Sequence, residues 1–425
     1  MCIRDRRNTV RKLLHWAEKI FKTDIVYLTR GFFWLASSQL VTAGLTLLLA
    51  TALARFLPKE IYGNYKYIIS LAGLIGALML SGMDTVIIRS VARGFEGVVH
   101  RALGLYARFS LLGSGVALAS ALYYFINDND ALALSLVIVG IGLPIFQTSI
   151  LFQSILTGHK EFKLTAKYNI IANLIPTALL IIAATLFNDN VPFLVLVYFI
   201  GYSATNYILL RLTLKRFPPN DKLDEQDITY GKHLSVMNVL GTIGTHIDKV
   251  LIFQLIGAVD VAIYAFAEAL PNQIRRLFRI TGSLISPKLS ANHNSLTFKN
   301  ILCKALFFTV AVTTLVLIYI ATAKLIFTLL FPAYTEAILF SQLLALQLIP
   351  MAFGYFSLEA LKACRAKKKL YLYKITAPLI NIILLAGLIY LYGIWGAIYA
   401  RLIGRSIAAT LAIALFYLNR RSQKA

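Results

Sequence analysis

The sequence predicts an all-α polytopic membrane protein of about twelve transmembrane helices, arranged as two six-helix lobes around a central cavity. Three observations carry that expectation. Of 425 residues, 58% are hydrophobic and only 14% charged, whereas soluble domains are usually less than half apolar and about a quarter charged. Apolar stretches of about 20 residues, the length that crosses a bilayer core, recur along the whole chain, and the mean hydropathy is +0.72. One longer polar connection, "LKRFPPNDKLDEQDITYGK" at 214–232, divides these stretches six and six.

The first six spans are expected at 31–56, 61–82, 101–126, 131–157, 164–187 and 191–213. The second six are expected at 233–257, 260–283, 302–323, 337–361, 370–392 and 394–418. Residues 1–30 form a segment preceding the first lobe, 31–213 the first lobe, 214–232 a linker, 233–418 the second lobe and 419–425 a tail. Within the first segment, 8–24 place Val10, Leu13, Leu14, Ala17, Ile20 and Phe21 on one helical face with Lys and Arg opposite. Such a helix lies on an anionic inner leaflet, among membrane lipids.

Sidedness follows from loop charge, because cytoplasmic loops collect Lys and Arg. Alternate connections carry Arg89, Arg93 and Arg101, then Lys160, Lys163 and Lys167, then Lys215, Arg216, Lys222 and Lys232. The pattern continues with Arg275, Arg276, Arg279, Lys288 and Lys299, and again with Lys362, Arg365, Lys367, Lys368 and Lys369. The opposite connections, "NDND" at 127–130, "NDN" at 188–190 and "YG" at 392–393, carry none. Both termini are therefore expected in the cytoplasm of a bacterial inner membrane. The net charge of +23 is accounted for in the same way, and no nucleic-acid partner is expected. Cys2, Cys303 and Cys364 are far apart and read as free thiols. There is no cleavable signal peptide to expect, and no metal-ligand spacing, phosphate loop or nucleophile elbow.

The two halves echo each other. "GHKEFKLTAKYNIIANLIPTALLIIAATLF" from Gly158 lines up without gaps on "ACRAKKKLYLYKITAPLINIILLAGLIYLY" from Ala363. Each is a basic loop followed by a helix carrying Asn and Pro: Asn169, Asn173 and Pro176 in one, Lys374, Pro378 and Asn381 in the other. An even number of spans per half makes the repeats parallel, an organisation common in transporters.

Several polar groups lie where a membrane makes them costly. In "GTIGTHIDKVLIFQLIG", 241–257, a rotation of about 100° per residue puts Asn238, Gly241, Thr242, Thr245, His246, Asp248 and Lys249 on one arc. Asp248 and Lys249 either fix helices together as an ion pair or line a cavity that binds substrate or a coupling cation. In the next span Glu268, Asn272, Arg275 or Arg276, and Arg279 recur every three to four residues, and Pro271 is free to kink the helix. The last span holds Arg401 and Arg405 on one face, Arg405 about 16 Å from the outer end. Two guanidinium forks at that spacing suit phosphate oxygens; the alternative is pairing with Asp248 or Glu268. Arg108 and Arg89 are weaker additions to the same basic set. An interior that leans basic fits an anionic head group better than a hydrophobic cation.

The chain resembles the oligosaccharide flippases, Wzx-like polysaccharide biosynthesis proteins of the multidrug/oligosaccharidyl-lipid/polysaccharide exporter superfamily. The resemblance rests on "ALARFLPKEIYGNYKYIISLAGLIGALMLSGMDTVIIRSVARG" at 52–94, "IDKVLIFQLIGAVDVAIYAFAEAL" at 247–270, "ISPKLS" at 285–290 and the "ALKACRAKK" loop after the tenth span. It implies two six-helix lobes around a V-shaped cavity and alternating access. It also implies polyprenyl-diphosphate-linked oligosaccharide as substrate, moved to the outer leaflet for O-antigen, capsule or exopolysaccharide synthesis. Polymerase or chain-length machinery would be partners and the chain a monomer. No cofactor is implied beyond a proton or sodium gradient, with Asp248 or Glu268 as carrier. A drug or metabolite antiporter of the same fold is the competing transport reading. A membrane polymerase or glycosyltransferase is the enzymatic one, disfavoured because the outer connections offer no sizeable loop for catalytic carboxylates.

Overall fold

The structure, a computed structural model, describes residues 25–291, 298–364 and 366–421, with side chains from 33 onward except those at 78 and 277–291. The expected interfacial helix at 8–24, Cys2 and the side chains of Arg279 and "ISPKLS" lie outside the described residues. Every regular element among those described is helical. The first lobe comprises α1 (Ile25–Phe56), α2 (Lys59–Ile75), α3 (Met83–Ala92), α4 (Gly97–Ile126), α5 (Asp130–Ser149), α6 (Phe152–Gly158), α7 (Phe162–Leu186) and α8 (Val191–Arg216). The second comprises α9 (Glu225–Leu255), α10 (Ala258–Ala291), α11 (Phe298–Leu330), α12 (Ala337–Leu346), α13 (Leu348–Ala363) and α14 (Lys367–Arg421).

Nine helical segments among the described residues are long and apolar enough to cross a membrane. One of them, α14, runs for 55 residues but turns back at Gly393, whose φ of 59° is a left-handed conformation that glycine adopts readily. Its two arms, 367–392 (α14a) and 394–421 (α14b), pack antiparallel, so that a Cβ on Gly404 would lie 2.8 Å from the Asn381 side chain. The charged α10 and the broken second span, α2 with α3, complete the expected twelve. The fourth span breaks at Ile150–Leu151 and the tenth at Gln347. The two breaks fall at different depths, 20 residues into the fourth span and 10 into the tenth. Side chains such as Phe307 and Ile141 point outward, fully available to lipid.

α9 joins the lobes in an unexpected way. The helix reaches back to Glu225, capped by Asp224, whose side chain accepts from the Gln226 amide at 3.1 Å, with Glu225 and Asp227 in the first turn. Its opening turns dock on the first lobe. Asp227 accepts from Ser90 and Arg93, Ile228 joins the apolar core of α3, α4 and α6, and the Gly82 amide donates to Ser235 Oγ at 2.9 Å. The short connection 217–224 is itself tied down, with the Gly97 amide donating to the Lys222 carbonyl at 3.0 Å and Asn220 donating to the Gly94 carbonyl at 3.1 Å. The expected 214–232 linker thus reduces to a strap at 217–224 fixed to the first lobe, because α8 runs to Arg216 and α9 starts at Glu225.

The other lobe contact lies at the end where the short loops without Lys or Arg fall. Tyr62 of α2 stacks on Phe266 of α10 at 4.5 Å, and Tyr334 lies 4.0 Å from the same ring. Gly63 leaves room for the Ala258 carbonyl. Arg55 donates to the Leu329 carbonyl at 2.9 Å and Lys59 pairs with Glu336. Small residues in "AVDVAIYAFAEAL" of α10 permit this close approach of α2. Below the aromatics, Gln254 of α9 donates to Tyr67 Oη at 3.0 Å and Tyr124 Oη at 2.6 Å, and those two hydroxyls share a 2.7 Å hydrogen bond.

Candidate functional site

Three helices of the second lobe bring the interior charges together. Arg401, on α14b and 2% exposed, closes on the Asp248 carboxylate of α9. Its Nε donates to Tyr264 Oη at 3.3 Å and its Nη1 to the Gly244 carbonyl at 3.3 Å. Tyr264 in turn donates to Asp248 Oδ2 at 3.1 Å, and the Lys249 amide donates to Oδ1 at 2.9 Å. Asp248 and Tyr264 are fully buried. A buried carboxylate is tolerated only when paired and hydrogen-bonded, and this one has a guanidinium, a hydroxyl and an amide. Lys249 Nζ turns to Glu268 Oε2 of α10 at 2.7 Å and stays 3.8 Å from Asp248. Lys66 of α2, across the lobe boundary, lies within electrostatic reach of Glu268 and Lys249.

Beside this cluster lies a cavity of about 470 Å³, walled by α9, α14a and α14b and reaching Ser81 at the break of the second span. Asn238, Thr245, Asn381, Arg401 and Arg405 all line it, as the helical arc of α9 and the face shared by Arg401 and Arg405 predict. Arg405 is the distinctive member. It has no carboxylate partner among the described residues, and its buried Nε has no hydrogen-bond partner. The nearest charges include Arg401 and Arg275, which oppose its own. Lys374 of α14a adds a second cation, held at 3.3 Å by the Asn238 side-chain carbonyl.

Other predicted residues fall elsewhere. His246 packs against Gly73 of α2, where a Cβ would touch its ring, so it sits in the lobe contact. Pro271 is buried within α10, which continues through it without a break, and Asn272 is half-buried one residue on. Asn173 donates to the Asn169 carbonyl at 2.8 Å, and Pro176 packs on Gly201 of α8, so both belong to helix packing in the first lobe. Arg89 and Arg108 are exposed on α3 and α4, away from this cavity's lining.

Sequence reasoning missed Tyr264, although its place one turn before Glu268 was a usable signal. It noticed Lys374 only as part of the repeat. The Tyr67–Tyr124–Gln254 network joins three helices distant in sequence, and no local pattern announces it. Chemically, the Asp248–Arg401–Tyr264 unit is self-satisfied. Arg405 and Lys374 present uncompensated positive charge to this cavity, an arrangement suited to phosphate oxygens.

The sequence model of a family described as polysaccharide biosynthesis protein matches residues 28–293. No curated protein matches the chain. Among solved structures, an inward-facing multidrug resistance MATE family transporter of the MOP superfamily superposes with a TM-score of 0.67 at 13% identity, over 90% of this chain and 95% of that one. The lipid II flippase MurJ, in an inward closed conformation, gives 0.66 at 15% identity, over 91% and 87%. A MOP superfamily transporter from Pyrococcus furiosus, described as having a binding pocket of reverse polarity, gives 0.66 at 15% identity, over 93% and 96%. At these identities the likeness establishes the fold, the helical architecture these three proteins share, and the apolar spans make this a multi-pass membrane protein.

Proposed function

The chain belongs to the polysaccharide biosynthesis protein family, and from that premise we propose that it flips a polyprenyl-diphosphate-linked oligosaccharide from the cytoplasmic to the outer leaflet of a bacterial inner membrane. The observation that carries this reading is Arg405: a guanidinium inside the bundle, on a cavity wall whose lining holds no carboxylate, with its buried Nε unpartnered. Leaving such a charge unpaired in a low-dielectric interior is costly, and an anionic ligand supplies the missing partner. Lys374, on the other arm of the hairpin but facing the same space, is the second phosphate contact. Arg401 shapes the cavity while Asp248 holds it.

Alternating access then uses the two lobe contacts. The aromatic seal around Tyr62, Phe266 and Tyr334 closes the outer end, and the diphosphate enters from the cytoplasmic side. The opening turns of α9 are fixed to the first lobe, while Asp248 and Lys249 tie its later turns to α14b and α10. The flex therefore lies within α9, near Gly241 and Gly244, and the Gln254 contacts to Tyr67 and Tyr124 part when the outer end opens. A driving ligand must bind the two states differently. Glu268, bonded to Lys249 and within electrostatic reach of Lys66 of the other lobe, changes surroundings when the lobes separate, which makes it the carboxylate to couple to a proton or sodium gradient.

The test is translocation of lipid-linked oligosaccharide in proteoliposomes by wild type beside Arg405→Ala, Arg405→Lys and Lys374→Ala. Loss with Arg405→Ala, partial retention with Arg405→Lys and unchanged thermal stability are expected. Wild-type flipping that survives Arg405→Ala and Lys374→Ala together sinks the assignment. A wild type that flips no diphosphate lipid yet exchanges organic cations for protons belongs to the drug-antiporter reading.

A further inference from the structure

A second cavity, about 480 Å³, lies between α1 and α7 on the flank of the first lobe, remote from the α9–α14 site. Its charged end is formed by Trp34 and Ser38 of α1, Lys163 and Lys167 of α7, and Arg216, the last residue of α8. Glu161 is the one acid on its wall. We propose that this cleft binds the phosphate head group of an anionic phospholipid of the surrounding membrane, as a resident lipid separate from the transported substrate.

Four features converge on a phosphate. Lys163 and Lys167 are one turn apart on a shared face, and Arg216 closes on them from the neighbouring helix; none of the three has an ion pair among the described residues. Glu161 at the N-cap of α7 makes no side-chain capping bond, and of the first-turn amides those of Phe162 and Thr165 donate to backbone carbonyls, leaving those of Lys163 and Leu164 beside the cations. Ser38, 1% exposed, lines the cleft with its Oγ unpartnered. The Lys163 ammonium sits 5.5 Å from the centroid of Trp34, a residue type that favours the head-group level of a bilayer.

The rest of the lining decides between a lipid and a free anion. α1 and α7 run side by side, since Trp34 meets Lys163 near the start of both. Seven residues further along each, about 10 Å by helix rise, the wall is Val41 and Ile170. A site for a soluble phosphate needs no apolar continuation. A lipid does, because its acyl chains must leave the head group along the helices. Basic clefts between spans on the cytoplasmic side are a general means of holding anionic head groups, and the loops carrying Lys163 and Arg216 are the ones whose charge assigns them there.

The experiment uses full-length protein in nanodiscs, with Trp16→Phe and Trp395→Phe leaving Trp34 as the reporter. Brominated phosphatidylglycerol is expected to quench Trp34 at about tenfold lower mole fraction than brominated phosphatidylcholine. Native mass spectrometry of delipidated protein should show the same preference, lost in Lys163→Gln/Lys167→Gln/Arg216→Gln and kept in Lys163→Arg/Lys167→Arg. Equal quenching by both lipids overturns the proposal, as does an unchanged preference in the folded triple variant. Relief of quenching by millimolar inorganic phosphate would assign the cleft to a free anion. Displacement of phosphatidylglycerol by polyprenyl diphosphate would make it a substrate docking point, and either result rejects a resident phospholipid. Flipping by Arg405→Ala does not enter these readouts, so this inference and the proposed function fail separately.

Discussion

Asp248 and Arg401, 153 residues apart in the chain, close on each other in the interior of the second lobe, while Arg405, one turn beyond Arg401, faces a cavity without a carboxylate. The two arginines look equivalent along the helix. Their surroundings give them different work, and the predictions divide along that line.

Removing either member of the Asp248–Arg401 pair should destabilise the protein. Asp248→Ala leaves a buried guanidinium uncompensated, and Arg401→Ala a buried carboxylate; each should cost about 3–5 kcal/mol. Thermal unfolding in detergent, followed by tryptophan emission, measures this. Replacing both together with apolar residues, Asp248→Leu and Arg401→Met, should recover most of the loss, since a buried ion pair exchanged for packed apolar groups is often neutral. A double variant as unstable as the sum of the singles would contradict the pairing.

Arg405→Ala should behave in the opposite way. Without a carboxylate to strand, it should leave the unfolding midpoint unchanged or raise it, while substrate-dependent stabilisation disappears. Thermal shift with and without farnesyl diphosphate separates the effects: wild type should be stabilised by the ligand and the variant should not.

Lys249 and Glu268 should show charge-swap rescue. Lys249→Glu and Glu268→Lys alone each place two like charges within a few ångströms in a half-buried site, and expression in folded form should fall for both. The double swap should restore it, because the Nζ–Oε2 contact is regenerated with its ends reversed. Failure of the swap while both single variants fold well would mean that the contact does not couple the residues.

Gly63 should be indispensable for outer closure. Any Cβ there would collide with the Ala258 carbonyl, which is backbone and cannot swing away. Gly63→Val is expected to hold the outer ends apart without unfolding either lobe. Spin labels at Lys59→Cys and Glu336→Cys would then report a distance distribution shifted to longer values than in wild type. Gln254→Leu, which removes the donor to Tyr67 and Tyr124, should broaden that distribution by a smaller amount.

The sequence by itself determined the membrane class, the twelve spans and the identity of most polar interior residues. Each of these is written locally: apolar length sets a span, loop composition punctuates it, and a periodicity of 3.6 places Asn238, Thr245 and Asp248 on one arc. The sequence could also propose that Arg401 and Arg405 bind an anion or pair with acids, but it had no means of choosing. Only the tertiary structure decided that Arg401 answers Asp248 and that Arg405 meets no carboxylate partner among the described residues. It alone turned α14 back at Gly393 so that Asn381 and Gly404 meet, tied 217–224 to the first lobe, and set Lys374 across a cavity from Arg405. Ion pairs between spans depend on rotation and depth of two helices at once. Those are fixed by packing of side chains such as Tyr62, Phe266 and the small residues of α10, which no single helix's pattern contains.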